Sequence, residues 1–111
     1  MWHQDHIDRI FNRLIQNMIA KYNVNPNKIF LLGYSAGGDG VDQLAPRMAD
    51  RFAAASMSAG HPNDARPLAL RKIGFAIHMG KNDSAYNRNN VAEEWKVQVE
   101  ELKSKDIGGY E

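Results

Sequence analysis

Cysteine is absent from the 111 residues, which removes disulfides, thiol nucleophiles and thiolate metal ligands together. An excess of either charge is also missing. Fourteen Lys and Arg stand against thirteen Asp and Glu, scattered along the chain, so there is no basic face for nucleic acid. No apolar run approaches the length of a membrane span, and the residues after Met1 are polar and helical in spacing rather than a signal-peptide core. A soluble globular chain is expected, of unassigned compartment. At this length it is at most one domain and buries only a moderate fraction of its surface.

What is present is an alternation of helical and strand patterns. Ile7, Ile10, Phe11, Leu14, Ile15, Met18 and Tyr22 recur at helical spacing and predict an amphipathic helix over residues 4 to 22. An apolar run, Ile29-Phe30-Leu31-Leu32, predicts a strand over 29 to 33, apolar on both faces as in a sheet centre. Val41, Leu44, Ala45, Met48 and Phe52 resume a helical period, in which Pro46 should introduce a kink or begin a second short helix. A second strand is expected over 52 to 58, a short helix over 64 to 71 and a third strand over 73 to 79. Val91, Trp95, Val99 and Leu102 define a last helix, with Asn90 and Glu93 as a cap pair and Lys103 and Lys105 at its negative end. The fold class is α/β, a parallel sheet with right-handed crossovers, and active groups gather at the carboxyl ends of its strands.

The chemistry is concentrated where the first strand ends. Gly33-Tyr34-Ser35-Ala36-Gly37 follows an apolar strand and precedes a helical stretch, the context that a G-x-S-x-G turn requires. In such an elbow Ser35 stands exposed, and the amide of Ala36 at the helix N-terminus faces a developing oxyanion. Glycines flank the serine because bulk there would strike the strand or the helix. Gly37, Gly38 and Gly40 together suggest an elbow helix pressed closely on the sheet.

From Val24 to Gly38 the chain resembles the run into the nucleophile of α/β-hydrolase serine esterases, in the dienelactone-hydrolase-like, polyhydroxybutyrate-depolymerase-like and prolyl-oligopeptidase-like branches. Asn25 stands for the usual Asp and Lys28 where Arg is frequent, neither of which touches the chemistry. The resemblance implies a three-layer α/β/α fold of which about three strands are present. It also implies a serine hydrolase acting on a carboxylic ester through an acyl-enzyme on Ser35, with no cofactor and no metal. Gly80-Lys81-Asn82-Asp83, after the third strand, is similar to the family's H-G-x-x-D segment, which makes Asp83 the triad acid. Met79 replaces the usual histidine there and His78 stands one place earlier.

The family's histidine lies after the strand that follows the last helix, so the base is expected beyond Glu111, and residues 1 to 111 are expected to be a partial hydrolase domain. His61, after the second strand, is the candidate to line the pocket or to substitute as base. His3 and His6 are two potential ligands without a third donor, so no metal is expected. His78 reads as a hydrogen-bonded structural histidine. Asp39 and Asp42 are accounted for by the helix dipole, Trp2 and Trp95 by packing, and Tyr34 is placed to brush a substrate. The partner implied is a small-molecule ester, with no nucleic acid and no membrane. The alternatives are a serine peptidase, differing in leaving group, and a non-catalytic fragment that associates through exposed sheet edges.

Overall fold

The computed structural model describes residues 2–110. Three helices and three strands follow in the order α1 (Asp5–Tyr22), β1 (Phe30–Tyr34), α2 (Ala36–Arg47), β2 (Ala54–Ser58), β3 (Gly74–His78) and α3 (Arg88–Lys105). Single 3-10 turns fill the connections at Ala49–Arg51, Pro67–Leu70 and Ala85–Asn87. The strands form one parallel sheet in the order β1-β2-β3, in register from Phe30, Ala54 and Gly74 to Tyr34, Ser58 and His78. The expected α/β architecture is therefore present.

Strand alternation sorts the side chains onto two very different faces. Leu31, Ala55, Met57, Phe75 and Ile77 point to the side that carries the helices. There they join Ile7, Ile15, Val41, Leu44, Leu70, Ile73 and Trp95 in a single core. α2 lies over β1 and β2, α1 is tied to α2 by the Asp8–Arg47 ion pair, and α3 reaches the sheet through Trp95, whose ring centroid is 5.7 Å from that of Phe75. On the other face Phe30, Leu32 and Tyr34 are 58%, 73% and 75% exposed. The described residues thus build a sheet and one helical layer. The strand expected to be apolar on both faces is apolar on both, but only one face is covered.

α1 shows the same imbalance. Its row Ile7, Phe11, Ile15 and Ile19 packs into or against the core, whereas the neighbouring row Ile10, Leu14, Met18 and Tyr22 faces solvent. Both rows follow the i, i+4 spacing, so the apolar stripe is wider than the surface it covers.

Several boundaries differ from expectation for local reasons. β1 begins one residue later than predicted and includes Tyr34, because the ladder to β2 runs to Ser58. Residues 64 to 71 make only the 3-10 turn Pro67–Leu70. Pro46 neither kinks α2 nor starts a new α-helix. It sits in the last turn, where its missing N–H deprives only the Asp42 carbonyl, and the helix ends one residue later. Asn90 and Glu93 are not a cap pair: Tyr86 and Asn87, both at positive φ, turn the chain into α3 three residues earlier, and the Asn90 amide donates to Asn87 Oδ1 at 2.7 Å.

The glycines also divide unevenly. A Cβ on Gly33 would overlap the carbonyl oxygen of Gly37 and stand 2.8 Å from Val41 Cγ2, whereas a Cβ on Gly37 meets nothing within 4 Å. The expectation of a crowded Gly37 is corrected: the contact is made by its carbonyl, and the residue that must lack a side chain is Gly33. Gly33→Ala is accordingly expected to lower stability by about 3 kcal/mol, at the upper end for overpacking. Gly37→Ala is expected to be neutral or to raise stability by up to about 1 kcal/mol through helix propensity. Urea denaturation of the two variants checks this, and the reverse ranking would contradict it.

Candidate active site

The polypeptide turns from β1 into α2 at Ser35, with φ 56° and ψ −118°. For a non-glycine residue this is a strained conformation costing on the order of 1–3 kcal/mol. It is held from both sides, because the Ser35 N–H donates to Ser58 O at 2.9 Å and the Ser35 carbonyl accepts from Asp39 N–H at 3.0 Å. Serine at a helix start ordinarily caps the helix with its hydroxyl. Here the side chain makes no capping bond, so Oγ is uncommitted. Beside it the Ala36 N–H, first in the helix, has no intrahelical acceptor.

Glycine pairing brings the loop after β2 against this elbow. A Cβ on Gly38 would stand 2.7 Å from Ser58 O, and one on Gly60 would stand 2.5 Å from the carbonyl carbon of Gly38. The Asp39 carboxylate, explained from sequence by the helix dipole alone, also accepts from the His61 N–H at 2.8 Å. Lower down, Gln43 donates to Pro62 O at 2.7 Å and to Asp64 Oδ1 at 3.0 Å. The Gln43 bond holds the Asp64 carboxyl below its ordinary value, so this carboxylate, in the loop after β2, is occupied.

His61 therefore lies beside the elbow, as expected, but its ring is set the wrong way round for a base. Asn63 N–H donates to His61 Nδ1 at 2.9 Å, so the neutral imidazole carries its proton on Nε2. A triad histidine has the opposite arrangement, with Nδ1–H bonded to the acid and a free lone pair on Nε2 to take the serine proton. His78 is exposed on the open face beside Ser58 and makes no side-chain hydrogen bond among the described residues, contrary to the hydrogen-bonded structural histidine expected.

Asp83 follows β3 in a turn closed by Asp83 N–H to Gly80 O at 3.0 Å, and Asn89 N–H donates to its carbonyl at 3.1 Å. Its carboxylate is partly covered and lies 3.7 Å from Arg88 Nη1. Ser35 and Asp83 thus leave the same edge of the sheet two strands apart, roughly 10 Å at the usual strand spacing. Among the described residues no group of His, Asp and Glu could hold a metal ion, and no helix is long and apolar enough to cross a membrane.

The sequence reading missed Asp42. It is fully buried in α2, neither carboxylate oxygen has a hydrogen-bond partner, and burial together with nearby Asp39 pushes its carboxyl up to about 8. It is not a solvated charge at the helix start. Its only signal was its place within Val41–Ala45, a stretch now seen to be buried on every side.

Because Asp42 is raised in the folded state, folding favours its neutral form. The contribution is complete below the unfolded carboxyl value of 3.8 and is lost as pH climbs through about 8. Stability should fall across that window, by up to about 1.4 kcal/mol per pH unit from this group. Asp64 and Asp106, both lowered, are exposed and lose their contributions only below their ordinary range. Asp42→Asn is expected to flatten the slope between pH 5 and 8 in urea titrations, and an unchanged slope would contradict the assignment. No protein-family model matches the chain, and neither a curated protein nor a solved structure matches it.

Proposed function

We propose that this chain carries the nucleophile and the acid of a serine hydrolase of the α/β-hydrolase type that cleaves carboxylic esters. The observation that carries the reading is the backbone of Ser35: a strained turn leaves its hydroxyl uncommitted beside the free amide of Ala36. A strained turn that leaves a serine hydroxyl without a capping partner is what a nucleophile elbow requires. Ser35 Oγ adds to the ester carbonyl as its proton passes to an imidazole, and the resulting oxyanion takes the Ala36 N–H. The C–O bond to the alcohol then breaks, the imidazolium returns the proton to the leaving alkoxide, and water releases the acyl group by the same steps. Asp83 holds the imidazolium.

The imidazole that takes the proton belongs to a histidine other than His61, whose Nδ1 accepts from Asn63. A groove of about 820 Å³ runs between β3 and α3, floored by Phe75, Ile77 and Met79 and reaching Gly80 and Lys81 beside the turn that carries Asp83. Among the described residues β3 has no partner strand on its outer side. The bare face at Phe30, Leu32 and Tyr34 takes the second helical layer of the three-layer fold. By itself the chain is accordingly expected to associate and to show only trace ester hydrolysis. Light scattering checks the first, with Leu32→Lys reducing association. A monomer whose turnover is abolished by Ser35→Ala would show instead a complete enzyme.

In a protein that also holds the base, a fluorophosphonate probe is expected to modify Ser35, and Ser35→Ala to abolish modification. Adducts at Ser56 or Ser58 would overturn the assignment. In a protein that also holds the base, Asp83→Asn should cut turnover about 10⁴-fold, the loss known for removing the orienting acid, with little change in stability. Asp64→Asn should be mild. The opposite ranking would move the acid to the loop after β2.

A further inference from the structure

The first turn of α2 is the least stable part of that helix in sequence terms and the part that must be most rigid for chemistry. Ala36-Gly37-Gly38-Asp39-Gly40 places three glycines there, each costing about 1 kcal/mol of helix propensity. From one side it is held by the loop after β2, through Gly60 and the Asp39–His61 bond. From the other side it is held by Trp2. The indole Nε1–H donates to the Ala36 carbonyl at 2.8 Å. The ring also lies on Gly40, where a Cβ would meet Trp2 Cε2 at 2.9 Å and Cδ2 at 3.0 Å. Gly40 therefore lacks a side chain to admit the indole.

Trp2 is itself anchored. Its carbonyl accepts from Arg47 Nη2, at the far end of α2, and the Arg47 guanidinium is bound by Asp8 Oδ1 at 2.8 Å and by Gln43 Oε1 at 3.1 Å. The indole is thus held by the same helix whose opening turn it clamps, at both ends. Residue 36 is gripped through its carbonyl while its N–H stays open.

We infer that Trp2 is a positioning residue for the oxyanion site: by bonding the Ala36 carbonyl and covering Gly40 it holds the first turn of α2, and with it the Ala36 nitrogen, in place. This rests on the hydrolase reading for its catalytic meaning, whereas the clamp itself stands on geometry. Trp2 touches no reacting atom and acts through Ala36 alone.

Trp2→Phe keeps a ring over Gly40 and removes the N–H, and Gly40→Ala displaces the ring without altering Trp2. Amide hydrogen exchange of residues 36–40 and the rate of fluorophosphonate reaction at Ser35, with imidazole added to supply the base, are measured in both, with Trp95→Phe as control. Both variants are expected to speed exchange in that turn and slow phosphonylation roughly three- to tenfold, the worth of one hydrogen bond, with Trp95→Phe changing neither. Unchanged exchange overturns the clamp. Faster exchange with an unchanged phosphonylation rate overturns the positioning role. If wild-type Ser35 does not react at all, the hydrolase reading fails, and the exchange measurement still decides the clamp.

Discussion

The close approach of the end of β1 to the first turn of α2 governs the site. The Gly37 carbonyl occupies the space in which Gly33 would carry a Cβ, and Gly38 meets Gly60 on the other flank. Between these contacts Ser35 turns the chain at φ 56° and ψ −118°. The strain is sustained because both neighbouring peptide groups are hydrogen-bonded, to Ser58 and to Asp39. A half-buried hydroxyl with no capping bond stands there beside the first amide of the helix.

The rest of the helical layer stabilises that approach. Gln43 and Arg47 extend from α2 to the loop after β2, to α1 and to Trp2, so three segments distant in sequence converge on one helix. Asp42, buried among them with no partner, runs against the stability of this layer. A buried carboxyl without a hydrogen bond is tolerated only as the neutral acid. Its ionisation works against the helix that begins at Ala36.

The order of the main helices and strands, the turn at Ser35 and the turn after β3 were legible because each rests on local pattern: an apolar run, a small-residue turn, a strand end. Faces were less legible. Phe30, Leu32, Ile10 and Leu14 carry the periodicity of covered residues, yet which apolar row is covered depends on elements that pack from far away in sequence. The start of α3 was misjudged because Tyr86 and Asn87 enter the left-handed region, which nothing about Tyr86 announces. The bond from Trp2 to Ala36 spans 34 positions, beyond the reach of any local pattern. The tautomer of His61 depends on a single backbone donor two residues away.

The central claim is that the turn at Ser35 presents a nucleophile directly beside an oxyanion donor. A crystal structure of the chain after reaction with a small phosphonate ester tests it most directly. Phosphorus is expected on Ser35 Oγ with a phosphoryl oxygen about 3 Å from the Ala36 nitrogen, the geometry of a donor aimed at a tetrahedral oxyanion. A phosphonyl group on Ser35 with its oxygen turned to solvent, or on another residue, would contradict the account.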